Sequence, residues 1–178
     1  MNIFSPSTKA AMPEGSIAEM FGKKVSFDLS CFGTATKSGG GTTVELNAPE
    51  IVRIESPTFK SEEDSYPLCY YKNFVVKWNP DKANTNGVVI IVKWAGTMGY
   101  GPNYPSSYVI NTVCVPDSGT VVLDEKIFDN IPDAACCKLC VVRGDLENVD
   151  INGEKIRLMT ESHDILGFIL VRNISNRK

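Results

Sequence analysis

Apolar and polar residues alternate at period two along much of this chain, and the helical period of 3.6 is almost absent. Residues 24–31, KVSFDLSC, alternate in this way and predict a half-buried strand. Residues 44–46 and 51–54 predict two short strands broken at Pro49. Residues 73–78 place Phe74, Val76 and Trp78 on one face. Residues 88–92 are five consecutive β-branched residues, which suits a central strand covered on both faces. Residues 108–115 and 120–123 predict strands separated by the turn Pro116-Asp117-Ser118-Gly119. Residues 136–143 follow as another strand. Asn152-Gly153 inside the apolar alternation of 149–156 is a strong hairpin signal. The run Glu161-Ser162-His163-Asp164 reads as a turn before a last strand over 165–172. Only 124–131 suggests a helical turn, ended by Pro132. About ten short strands with frequent turn signals predict an all-β protein, an antiparallel β-sandwich or barrel.

Between the strands lie polar or glycine-rich segments. GTATKSGGGTT at 33–43 reads as a flexible connection, and 56–67 as an acidic loop. The stretch VKWNPDKANTNGVVIIVKW at 76–94 says VKW twice. It reads as two paired strands joined by a hairpin corner at 79–87, with Trp78 and Trp94 available to the core. The chain divides into an arm over 1–20, one β-sandwich domain over 21–172 and a tail over 173–178.

Composition narrows the function. The 178 residues are 43% hydrophobic and 22% charged, a globular balance. A net charge of -3 argues against a nucleic-acid partner, whose phosphates require a basic surface. No apolar run approaches the ~20 residues that span a bilayer, so the chain is not expected to be transmembrane. The first residues, MNIFSPSTKAAMPEGS, carry no apolar signal core, so no signal peptide is expected within this sequence. Cys31, Cys69, Cys114, Cys136, Cys137 and Cys140 give an even count, which permits disulfides, but their spacing is not that of a dense framework.

Four segments together are familiar: ELNAPEIVRIESP (45–57), VKWNPDKANTNGVVI (76–90), DSGTVVLDEKIFDNIP (117–132) and LCVVRGD (139–145). In this order they resemble immunoglobulin-like β-sandwich domains of surface lipoproteins from Bacteroidetes-type gut bacteria. The Trp-Asn-Pro-Asp…Asn-Gly-Val segment is the most specific of them. The resemblance implies an immunoglobulin-like fold and an extracytoplasmic, surface-anchored location, with the signal and lipidated cysteine of such proteins not seen in this chain. It implies no particular activity.

The loop at 79–87 offers hard oxygens on Asp81, Asn84 and Asn86, of the type calcium prefers. The spacing fails the EF-hand pattern, since Ala83 falls at the third position from Asp81 and Gly87 at the seventh. Lys82 also repels a cation. Asn and Asp side chains bonding the local backbone explain the loop better, so no cofactor is expected and calcium is disfavoured. The segment from Trp94 to Tyr108 is rich in Gly and Pro and carries Tyr100 and Tyr104. Exposed aromatics on a loop suit stacking on a sugar ring or contact with a protein. Tyr100, Asn103 and Tyr104 are therefore the candidate ligand-binding residues, whereas Trp94 and Tyr108, at strand ends, are expected to tuck against the core.

Three further motifs carry less. Cys137 and Cys140 form C-x-x-C on a predicted strand, where positions three apart face opposite ways, so they read as small buried hydrophobes. Arg143-Gly144-Asp145 is an adhesion-type tripeptide, but three-residue matches arise by chance, and Gly144 fits a turn at the strand's end. His163 beside Ser162 and Asp164 cannot form a triad, because adjacent residues cannot meet in that geometry. The reading that follows is a non-catalytic surface or secreted module binding a glycan or a protein. A structural spacer or assembly domain is the first alternative, and a carboxylate-dependent glycan hydrolase the second.

Overall fold

The computed structural model describes residues 17–29, 35–36, 43–58, 66–96, 108–151 and 153–172. Among the described residues eleven strands carry the fold: β1 (Lys23–Asp28), β2 (Ala35–Thr36), β3 (Thr43–Ala48), β4 (Ile54–Ser56), β5 (Leu68–Tyr70), β6 (Phe74–Trp78), β7 (Val88–Trp94), β8 (Val109–Val115), β9 (Thr120–Leu123), β10 (Cys136–Ile151) and β11 (Glu154–Val171). Helix is confined to two 3-10 turns among the described residues, Ile17–Met20 and Glu125–Phe128. The second falls inside the predicted helical turn, and Asp124 caps it by accepting from the Lys126 N–H at 2.9 Å. The all-β expectation therefore holds.

One sheet runs β5-β11-β10-β7-β8, with β2 added to β10; a second runs β4-β6-β9; β1 and β3 form a third. The first two sheets pack face to face. From β6 come Phe74, Val76 and Trp78, and from β7 come Val88, Ile90 and Val92. Leu139 and Val141 of β10 and Phe168 and Leu170 of β11 complete the layer. Phe74 lies at the centre, 5.2 Å from the Phe128 ring and 5.3 Å from that of Phe168. Such tilted aromatic contacts add to the area term that holds the sheets together. A smaller cluster of Leu29, Val44, Leu46, Val149 and Ile151 lies under β1 and β3. The β10–β11 hairpin is long enough to serve both clusters. Its register runs unbroken from Cys136↔Ile169 to Ile151↔Glu154, and Gly153 takes the positive φ of 84° that its turn requires.

Several expectations need correction. The two VKW copies do not pair: β6 pairs with β9 and β4, whereas β7 pairs with β8 and β10. Residues 79–87 are thus an arch from one sheet to the other, not a hairpin corner. Residues 116–119 cross in the same way between β8 and β9, and the two arches stack, the Trp78 N–H donating to the Gly119 carbonyl at 3.0 Å. Gly87 takes φ 78° against the second arch, where a Cβ would come 2.5 Å from the Val115 oxygen. Nor is the sheet purely antiparallel, since β5 runs parallel to β11. Between those two strands the chain traverses both sheets, which supplies the crossover that parallel pairing needs.

The predicted turn at 161–164 is continuous strand. Its inward polar side chains explain why: Ser162 Oγ accepts from the Val52 N–H at 2.9 Å, and Asp164 Oδ2 accepts from the Ile54 N–H at 2.7 Å. They satisfy the backbone that leads into β4, which is why strand pairing of 51–54 begins only at Ile54. His163 faces outward with its Nδ1 3.2 Å from Glu161 Oε1. Tyr108 does not tuck inward; it is 57% exposed, with the Lys93 ammonium 4.9 Å from its ring centroid. Trp94 is half-buried against the main core. On β7 only one face is fully buried, its outward residues Val89 and Ile91 being half-buried.

The cysteines follow their strand positions. Cys137 is buried in the core, Cys140 is half-buried, and Cys136 is exposed. Cys69, Cys114, Cys136, Cys137 and Cys140 are free thiols, and Cys31 lies outside the described residues. Burial pushes the Cys137 thiol up to about 12 and that of Cys69 up to about 11. At pH 8 in the folded protein, Cys136 and Cys114 should therefore react with Ellman's reagent within minutes, while Cys137 and Cys69 react only once the protein unfolds. Mass mapping of the labelled peptides reads this directly, and rapid labelling of Cys137 would contradict its placement.

Candidate functional site

Strand β10 places Arg143 at the point where the arch of 79–87 meets the hairpin. Its side chain is completely buried, and this removes the tripeptide Arg143-Gly144-Asp145 as a surface recognition motif. Gly144 does not turn the chain either. It continues β10, where a Cβ would lie 2.3 Å from the Thr160 carbonyl oxygen, so the close approach of the two strands requires glycine.

The Arg143 guanidinium is held by residues from both arches. Its Nη2 donates to the Asn79 carbonyl. Its Nε lies 3.5 Å from Asp117 Oδ2, and its Nη1 lies 4.0 Å from Asp81 Oδ2. Nε and Nη1 are held by charge rather than by hydrogen bonds of ordinary length. The two carboxylates are themselves well bonded. Asp117 accepts from Trp78 Nε1 at 2.7 Å and from Asn84 Nδ2 at 2.9 Å. Asp81 accepts from the Ala83 N–H at 2.9 Å and the Glu50 N–H at 3.1 Å. A guanidinium suits this place because it stays charged and can address several acceptors in one plane.

The oxygens weighed and disfavoured as metal ligands are engaged in this framework. Asn84 Oδ1 accepts from the Asn86 N–H at 3.1 Å, and its Nδ2 also donates to the Gly87 carbonyl at 2.7 Å. Asn86 donates from Nδ2 to the Gly144 carbonyl at 3.3 Å and to Asp145 Oδ1 at 3.4 Å. The bonds of Asp81 to the Ala83 N–H and of Asn84 to the Asn86 N–H and the Gly87 carbonyl are the local Asx-type bonds expected, whereas the Asn86 side chain reaches across to β10 instead. Among the described residues no group of three or more His, Cys, Asp or Glu is placed to hold a metal ion.

Above the framework lies a cleft of about 170 Å³, where the arch faces β1 and the end of β3. Its walls include Lys23, Asn47, Glu50, Thr85, Asn86 and Asp145. Asp145 is pinned by four donors. Its Oδ2 accepts from the backbone N–H and the Nδ2 of Asn47, each at 3.0 Å, and its Oδ1 accepts from the Leu146 N–H at 3.0 Å and from Asn86. The backbone bond from Asn47, foremost among these, holds the Asp145 carboxyl below the usual carboxylate range. A wider trough of about 640 Å³ runs between the edge strands β8 and β9, but its walls are mostly apolar, with Ile110, Val113 and Val122 among them.

Sequence reasoning singled out Asp81, Asn84 and Asn86 and missed Arg143, Asp117, Asn47 and Glu50, which the tertiary fold brings to them. A lone arginine inside an apolar strand, Val141-Val142-Arg143, was the available signal for a buried ion pair. Tyr100, Asn103 and Tyr104 lie outside the described residues. Fold and site together define an all-β protein of packed sheets with a rigid polar cleft at one end of the sandwich. No family model, curated protein or solved structure matches this chain. No helix among the described residues is long and apolar enough to cross a membrane.

Proposed function

We propose that this is a non-catalytic, immunoglobulin-like binding module acting outside the cytoplasm, surface-anchored in its full form, and that its cleft takes a small neutral glycan unit. The observation that carries the reading is the set of side-chain bonds beneath the cleft. Because Asp81, Asn84 and Asn86 are fixed by the Arg143–Asp117 framework, the rim residues Asn47, Glu50 and Thr85 stand in set positions before any ligand arrives. Preorganised polar groups of this type recognise hydroxyls and amides with little ordering cost. A volume near 170 Å³ fits about one six-membered ring, since a cavity of roughly 150 Å³ accepts benzene. Mixed charge from Lys23, Glu50 and Asp145 favours a neutral ligand over a polyanion. Extracytoplasmic placement rests on the resemblance of the four sequence segments to surface lipoprotein domains.

The lowered Asp145 carboxyl does not suit the general-acid role in glycoside cleavage, which needs a proton retained near neutral pH. Chemical-shift mapping against a panel of neutral and amino sugars at millimolar concentration tests the site. Shifts should centre on the amides of Asn47, Glu50, Thr85 and Asn86. Glu50→Ala with Thr85→Ala should weaken binding at least about tenfold while leaving the melting temperature within a few degrees. Tyr100→Ala with Tyr104→Ala serves as the comparison for the aromatic segment around Asn103. Loss confined to that pair would move the site there, and no response to any sugar would reject the glycan reading.

A further inference from the structure

The outward face of the large sheet carries a second, separate message. An antiparallel sheet with one solvated face ordinarily alternates apolar inward and polar outward. Here the two central outward rows are mostly apolar, interrupted by His163 beside Val142 and Thr112 beside Ile91. Cys140 stands between Ile165 and Ile91, and Val142 stands beside Val89, in direct register across β11, β10 and β7. Ile165 is 53% exposed. The same face continues to Ile110 on β8, to Leu68 and Tyr70 on β5, and along the hairpin to Leu146 and Met159. Most of the large apolar side chains exposed among the described residues thus lie on this one face. The β-branched run of β7 has the composition of a strand covered on both sides, and the described residues of its own chain supply one cover.

The charges on this face are ordered. At one end Lys138 of β10 stands directly opposite Lys93 of β7. Like charges so placed repel and favour an anion above them. At the other end stands Glu161, paired in register with Gly144. Six residues separate positions 138 and 144, about 20 Å along the strand. Between positions 138 and 144 the face is therefore positive, then mostly apolar, then negative at Glu161, which His163 of the same strand approaches to 3.2 Å. Beyond it the face continues through Leu146 and Met159 to Arg157.

We propose that a second copy of this chain covers this face in a two-fold dimer. A two-fold axis lying in the face and across the strands turns the pattern end for end. It sets the apolar centre of one copy on that of the other, about 10 Å apart as in packed sheets. It also brings each Lys138 to the other copy's Glu161 end, off by one strand spacing of about 4.8 Å, which a lysine stem spans. The patch is self-complementary, as an isologous interface must be. An acidic or basic partner of another kind would match one end and meet repulsion at the other.

Sedimentation velocity on the whole chain at pH 7.5, from about 1 to 200 µM, tests this, with circular dichroism confirming that each variant folds. The wild type should shift from monomer to dimer across the range. Ile165→Lys, at an exposed position, should raise the dimer Kd at least about tenfold. Lys138→Glu should also weaken the dimer, and Lys138→Glu combined with Glu161→Lys should restore it. A monomer throughout the range, a dimer indifferent to Ile165→Lys, or a charge swap that restores nothing overturns the proposal. The cleft shares Gly144 with the Glu161 end of this face, but the substituted residues, Glu50 and Thr85 against Lys138, Glu161 and Ile165, do not overlap, so sugar binding and dimerisation are tested independently.

Discussion

Arg143→Ala should destabilise the fold by about 3–5 kcal/mol. The side chain is wholly buried, and its loss leaves the carboxylates of Asp117 and Asp81, also almost wholly buried, without their cation. Breaking a buried pair from one side is far more damaging than replacing the whole pair, because the remaining charge is neither solvated nor compensated. Truncation also strips the Asn79 carbonyl of its donor. Against a total stability of about 5–15 kcal/mol, this change brings the protein near its folding threshold. Urea denaturation of the variant and the parent gives the difference from the shift in midpoint at constant slope. The mechanism makes a second demand. Asp117→Asn combined with Arg143→Ala should lose less than the sum of the two single changes, because the orphaned charge is then removed. Strict additivity, or a loss below about 1 kcal/mol for Arg143→Ala, would show that the arginine is not held by charge.

Trp78→Ala should be nearly as damaging, at about 3–5 kcal/mol. Trp78 is 1% exposed at the end of β6, and its indole fills the space where the two arches leave their sheets. Removing it opens a cavity that the stacked arches cannot close, since Gly87 and Gly119 already bring backbone into contact there. The indole N–H also donates to Asp117 at 2.7 Å, so the same change weakens the site beneath the cleft. Trp78→Phe separates these effects. It retains most of the packing and loses the hydrogen bond, and should lose about 1–3 kcal/mol. Denaturation midpoints for the two variants are the measurement, and equal losses would mean that packing contributes little.

The strands were legible because their signal is local. Phe74, Val76 and Trp78 alternate inward as their spacing demands, and so do Val88, Ile90 and Val92. Asn152-Gly153 marked the hairpin, and Pro132 follows the 3-10 turn Glu125–Phe128. The loop at 79–87 was legible as a set of Asx-type bonds because Asp81 and Asn84 bond partners two or three residues away. Polar composition misled at 161–164. Ser162 and Asp164 look like turn residues until Val52 and Ile54, 110 positions earlier, are seen donating to them.

By itself, then, the sequence determined where most of the longer strands form, which face of β6 turns inward and where the long hairpin reverses, since all three follow from neighbours a few residues apart. It did not show β2 inside the glycine-rich stretch 33–43, β5 at Leu68–Tyr70, or the unbroken run of β11 through 161–164. Only the tertiary structure decided which sheet each strand joins. A hairpin and an arch impose the same alternation on β6 and β7, so periodicity is blind to the difference. The site was hidden for the same reason. Arg143 meets Asn79, Asp81 and Asp117 across long stretches of chain, and becomes a buried charge only when β10 is clamped beneath both arches.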